Sequence, residues 1–223
     1  MNNLASYLDF ANHRQDATPE DIEKLCQSVR EHGFHSAFVN PCYVSRARKL
    51  LGENGVVGTV VSFPLGQDTT EDKVTLALNS IENGADELDV SMNVGLFKAG
   101  RDVEVLEEMK EIVGQVKKAK AGAIVKFIIE TGLLTDEQIK KASELVVESG
   151  ADFVKTNSGL GPRGASLNDV AMIKGVAGDK VRIKVAGGIE TYEQAVSFIE
   201  AGAVRIGTSH AVEIIKEAEL KIL

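Results

Sequence analysis

Short apolar runs rich in β-branched residues alternate with longer stretches of helical periodicity along the whole chain, and about eight such pairs can be counted. The strand candidates are residues 6–9, 36–40, 56–63, 87–92, 124–130, 153–158, 181–186 and 204–208. Helix starts between them carry capping signals: Thr18-Pro-Glu-Asp21 puts proline at the first helical position, and Thr135-Asp-Glu-Gln138 and Thr191-Tyr-Glu-Gln194 read as capping boxes. A weak repeat marks the other ends. Glu82-Asn-Gly-Ala-Asp-Glu-Leu-Asp89, Glu148-Ser-Gly-Ala-Asp-Phe-Val-Lys155 and Glu200-Ala-Gly-Ala-Val-Arg-Ile206 share it, and Glu31-His-Gly-Phe-His-Ser-Ala-Phe38 is a looser copy. Each glycine falls where a helix needs a left-handed residue before the chain turns into the next strand. Continuous apolar strands predict a parallel sheet buried on both faces by helices. Eight repeats favour closure into a (β/α)₈ TIM barrel over an open doubly wound sheet.

Length agrees with that closure, because 223 residues at 43% hydrophobic content suit one core, and a single barrel domain over 1–223 is expected. The 25 Lys plus Arg against 33 Asp plus Glu leave a formal charge of −8, which argues against broad binding to nucleic acid or to an anionic membrane. No stretch of 18 apolar residues occurs, and MNNLASYLDFANH has neither a basic leader region nor a long apolar run, so no membrane span or signal peptide is expected. Cys26 and Cys42 lie in helical segments without CxxC or metal-ligand spacing and read as free thiols. The expected compartment is the cytoplasm.

Three lysines interrupt the apolar strands: Lys126, Lys155 and Lys184, in the fifth, sixth and seventh of them. Burial favours the neutral amine, and a second ammonium nearby pushes the same way, so one of a clustered set becomes a nucleophile near neutral pH and forms a Schiff base with a carbonyl substrate. Lowering a lysine pKa by three units costs about 4 kcal/mol, a large share of a typical folding stability. Asp89 in the fourth strand is flanked by apolar residues and can shuttle protons beside the amines. In a barrel these four converge on the mouth at the C-terminal ends of the strands.

Phosphate in such folds is often held after strands seven and eight, where Gly187-Gly188 and Gly207-Thr208-Ser209 let backbone N–H groups approach an anion. Other motifs fail. Gly159-Leu-Gly-Pro-Arg-Gly164 matches GxGxxG, but Pro162 sits where a helix would begin, and the segment reads as a loop. His13, His32, His35 and His210 lack zinc spacing, and no P-loop or GxSxG is present. No metal and no cofactor is expected.

The strings Asp152-Phe-Val-Lys-Thr156, Ile183-Lys-Val-Ala-Gly-Gly-Ile189, Glu130-Thr-Gly-Leu-Leu134, Phe63-Pro-Leu-Gly66 and Arg205-Ile-Gly-Thr-Ser209 resemble the deoxyribose-phosphate aldolase family, from about Leu8 to Glu213. The resemblance implies a metal-independent aldolase that cleaves 2-deoxy-D-ribose 5-phosphate into acetaldehyde and D-glyceraldehyde 3-phosphate. Lys155 would form the Schiff base, Lys184 would depress its pKa, Asp89 would relay protons and Lys126 would add positive field. Thr156, inside the first of these strings, and Asp9, in Leu8-Asp-Phe-Ala-Asn-His13, stand with the substrate-binding set, and a homodimer or homotetramer is implied. Phe10 and Ala11 replace the His and Thr of the family's usual "IDHT" string, while Ala186 and His210 stand where serines are common. Arg163 is a basic residue that could compensate at the phosphate. Two alternatives stay open: another lysine-dependent sugar-phosphate aldolase with a different donor or acceptor, and a barrel that binds sugar phosphates without turning them over.

Overall fold

The computed structural model describes residues 3–221; residues 1, 2, 222 and 223 of the expected 1–223 domain lie outside that range. Its parallel strands are β1 (Leu8–Asn12), β2 (Ser36–Val39), β3 (Val57–Val61), β4 (Glu87–Ser91), β5 (Ile124–Ile128), β6 (Phe153–Lys155), β7 (Arg182–Ala186) and β8 (Arg205–Thr208). They close in sequence order into one barrel, with β8 pairing back onto β1 through Leu8–Ile206, Asp9–Gly207 and Phe10–Thr208. Between and after them run α1 (Pro19–His32), α2 (Val44–Leu51), α3 (Thr70–Glu82), α4 (Val94–Lys98), α5 (Asp102–Ala119), α6 (Asp136–Ser149), α7 (Leu167–Ala177), α8 (Tyr192–Glu200) and α9 (Ala211–Leu220). No described helix is long and apolar enough to cross a membrane.

The expected punctuation operates. Thr18, Thr135 and Thr191 each close a capping box on the third residue of their helix, and Gly33 and Gly150 end α1 and α6 in the left-handed conformation. A further box, Ser166 with Asp169, starts α7 beyond Pro162, so residues 159–164 form a loop.

Two strand limits differ from the sequence reading in ways that bear on the site. The first strand is not residues 6–9, because Leu4–Tyr7 form a 3-10 turn and pairing with β2 runs from Asp9–Ser36 to Asn12–Val39. The polar pair Asn12-His13 masks this extension, which carries residues 10–13 to the mouth. The sixth strand stops at Lys155 instead of continuing to Ser158, so Lys155 occupies its last rung.

The two faces of the sheet have different chemistry. Leu88, Val90, Val125, Phe127, Val154, Ile183, Val185 and Ile206 face the helices and join one apolar core with them. The intervening residues meet inside the barrel, where Asp9, Glu87, Asp89, Lys126, Lys155 and Lys184 are all buried. An interior of this kind is usually filled by branched apolar side chains. Here the Phe38 ring crosses it over Gly58, where a Cβ would fall 2.3 Å from ring carbons.

Candidate active site

Strand register brings the expected residues together. Lys126 is paired with Asp89 across β4 and β5, and Lys155 with Lys184 across β6 and β7. One carboxylate oxygen, Oδ2 of Asp89, accepts from Nζ of Lys155 at 2.8 Å and from Nζ of Lys184 at 2.8 Å. Its other oxygen accepts from Nζ of Lys126 at 3.0 Å. Lys184 also lies 2.7 Å from Asp9, whose Oδ1 accepts from Ser36 at 2.7 Å, and Lys126 donates to Glu87 at 2.5 Å. Three lysines thus face three carboxylates in the buried interior, the balance that makes buried charge tolerable.

Burial has unequal effects on them. Lys155 is pushed down to about 8, first by burial and then by the Lys184 and Lys126 cations, with Asp89 opposing. Roughly a tenth of its side chains carry the free amine at pH 7. For Lys126, burial is outweighed by Asp89 and Glu87, which hold the ammonium form above its ordinary range. Asp89 stays well below the usual carboxylate range because the three lysines override its burial. Lys155 is therefore the amine that deprotonates, while Lys126 remains a fixed cation. Phe63 lies 5.9 Å from Nζ of Lys155 and Phe38 lies 3.5 Å from Nζ of Lys184, so an aromatic ring stands against each amine.

A cavity of about 590 Å³, ordinary for a small-molecule site, opens above the pair. Lys155, Lys184, Gly187, Gly188, Gly207, Thr208 and Ser209 all line it. Gly187 and Gly188 have φ of 101° and 75°, values other residues rarely adopt, and their bare backbone borders the cavity between β7 and α8. Thr208 donates to the carbonyl of Ile189 at 2.6 Å and accepts from the amide of His210 at 2.9 Å, tying the loops after β7 and β8 to each other.

Five expected residues do not line the cavity: Asp89, buried beneath the amines, and four others. Lys126 and Asp9 lie beneath it in the ion network, since their strands carry them below the last rung. Thr156 turns onto β7, donating to the Ala186 carbonyl and accepting from its amide. Arg163 is held away from the phosphate loops by a two-pronged pair with Asp169, at 2.7 and 3.0 Å, and by the Thr131 carbonyl. Asp169 also caps α7, which makes this arginine a loop anchor.

Several wall residues carried no functional assignment in the sequence, His13 among them. His13, just beyond β1, lines the cavity with a half-buried ring, yet its Nδ1 is sealed from solvent and unpaired among the described residues. The imidazole is pulled down to about 3, first by burial and then by the Lys155 cation, so it is neutral at pH 7. The one described group with potential metal ligands is Asp9, His35 and Glu87. Its carboxylates are already engaged by Lys184, Ser36, Lys126 and His35, so a divalent cation would meet two ammonium groups.

Residues 6–214 match the family described as DeoC/LacD family aldolase. A deoxyribose-phosphate aldolase of Carboxydothermus hydrogenoformans is 46% identical over 214 residues, covering 96% of this chain and 94% of the relative. Among solved structures, an aldolase called QR15 superimposes with a TM-score of 0.93 at 38% identity, over 100% of this chain and 98% of its own. The tetrameric deoxyribose phosphate aldolase of Aeropyrum pernix gives 0.89 at 33% identity, over 97% and 91%.

Proposed function

The chain belongs to the DeoC/LacD family of aldolases, and from that premise we propose that it reversibly cleaves 2-deoxy-D-ribose 5-phosphate to acetaldehyde and D-glyceraldehyde 3-phosphate through a Schiff base on Lys155. The observation that carries this reading is the shared Asp89 oxygen between Lys155 and Lys184, with Lys155 displaced toward neutrality.

Lys155, as the free amine, attacks the C1 carbonyl, and the carbinolamine loses water with Asp89 and its lysine partners passing the protons. The iminium places a positive charge opposite Asp89, as the protonated Lys155 does, so the covalent intermediate restores the charge balance of the ammonium form. As the C3 hydroxyl loses its proton, the C2–C3 bond breaks and its electron pair enters the iminium, giving an enamine and the phosphorylated triose. Protonation of the enamine carbon and hydrolysis then release acetaldehyde and restore the amine. Lys184 contributes a fixed cation that lowers the basicity of Lys155 without forming a bond to substrate. The bare backbone of Gly187, Gly188 and Gly207 suits a phosphate at the far side of the cavity.

Assembly as a homodimer or homotetramer in the cytoplasm completes the reading, and the A. pernix relative gives the tetramer precedent. Incubation with acetaldehyde and borohydride followed by mass mapping tests the chemistry. The expected result is one ethyl addition of about 28 daltons on Lys155, the reduced imine of a nucleophilic lysine. An unmodified protein would favour a barrel that binds sugar phosphates without turnover.

A further inference from the structure

We infer that His13 is a specificity-determining residue whose imidazole hydrogen-bonds a hydroxyl of the phosphorylated aldehyde, the one on the carbon next to the reacting carbonyl. This inference rests on the aldolase reading above and assigns to the same cavity a contact outside the lysine–aspartate cluster.

Position carries the first part of the argument. The His13 ring centroid lies 5.3 Å from that of Phe63 and 6.4 Å from that of Phe38. Those two rings are the ones lying 5.9 Å from Lys155 and 3.5 Å from Lys184, so His13 stands one aromatic ring away from each amine. It lines the cavity together with both lysines. No side-chain hydrogen bond holds the imidazole among the described residues; Nδ1 is sealed from solvent, so Nε2 is the nitrogen left open on a ring that lines a ligand-sized cavity. A hydroxyl on a ligand would pair with it.

Chemistry identifies that group. The two-carbon donor half has one polar atom, and Lys155 consumes it. The phosphate is an anion that a neutral ring recognises poorly, whereas glycine backbone suits it. The oxygen at the broken bond must exchange a proton, and an imidazole held neutral far below pH 7 is a poor base for it. What remains is the spectator hydroxyl beside it, which exchanges no proton and pairs with a neutral nitrogen as donor or acceptor. A site built around such a contact discriminates against an analogue lacking the hydroxyl, because the protein atom is again left unpaired.

The test compares two acceptors, D-glyceraldehyde 3-phosphate and its deoxy analogue 3-oxopropyl phosphate, each with acetaldehyde as donor. For the unaltered enzyme, kcat/KM should favour the hydroxylated acceptor, and His13→Leu should narrow that ratio by about three- to tenfold, the range of one neutral hydrogen bond. His13→Gln, which keeps a hydrogen-bonding side chain, should retain part of the preference. Equal losses on both acceptors in both variants would overturn the proposal by showing that the ring only packs, and so would an unchanged ratio. Failure of borohydride to trap acetaldehyde on Lys155 in the unaltered enzyme would overturn the aldolase reading itself, a different outcome from a flat acceptor ratio in an enzyme that traps normally.

Discussion

Lys155 and Lys184 are register partners on adjacent strands, and their side-chain nitrogens lie at the same 2.8 Å from one oxygen of Asp89. Two cations held on one carboxylate oxygen repel each other, and Lys155, which lacks the second carboxylate that Asp9 gives Lys184, gives up its proton more readily. The division of labour between nucleophile and fixed charge follows from that geometry.

Lys155→Leu should abolish turnover and acetaldehyde trapping together, while far-ultraviolet circular dichroism and the elution volume stay those of the unaltered protein. The side chain leaves an apolar isostere beside Phe63, and Asp89 keeps Lys126 and Lys184. Trapping on another lysine in this variant would reject the assignment of the nucleophile.

Lys184→Leu should move the rising limb of the pH–kcat/KM profile, expected near 8 in the unaltered enzyme, to higher pH. Removing the cation raises the Lys155 pKa, and each unit of rise lowers the free amine at pH 7 by about tenfold. A profile that keeps its midpoint would remove Lys184 from this role.

Asp89→Asn deletes the charge that three buried lysines share, leaving Lys155 without a counter-charge while Lys126 keeps Glu87 and Lys184 keeps Asp9. Breaking a buried pair of this kind costs about 3–5 kcal/mol, and the expected readouts are loss of turnover with a large drop in the urea midpoint. Full stability in the variant would mean that the lysines discharge instead.

Acid stability reports on His13. Its folded pKa lies below its unfolded value of 6.5, so the folded state binds fewer protons across the window down to about 3, and stability is lost as pH falls through it. His13→Leu should lose less stability than the unaltered protein between pH 6.5 and pH 4, measured as thermal midpoints at matched pH. Parallel curves would show that the ring already titrates in the folded state.

Gly58→Ala should destabilise the barrel by about 1–3 kcal/mol, because the new methyl falls onto the Phe38 ring. A second change, Phe38→Leu, should recover part of that loss in chemical denaturation, since the ring is the obstacle.

Much of this molecule is legible in its local order. Alternating strand and helix periods, the boxes at Thr18, Thr135 and Thr191, and the glycines ending α1 and α6 all act within a few residues, so the barrel follows from neighbours along the chain. The lysines and Asp89 stand out for the same reason, as charges inside apolar runs. Closure of β8 onto β1 and the resulting register belong to the tertiary structure alone. They set an oxygen of Asp89 against nitrogens 66 and 95 residues away, turned Arg163 onto Asp169, and sank Lys126 and Asp9 below the cavity. They also set the His13 ring, with no side-chain hydrogen bond among the described residues, at its wall. A side chain's facing alternates with strand period and can be read locally, but its height in a closed barrel depends on the stagger of every pairing between it and its partner, which no single segment encodes.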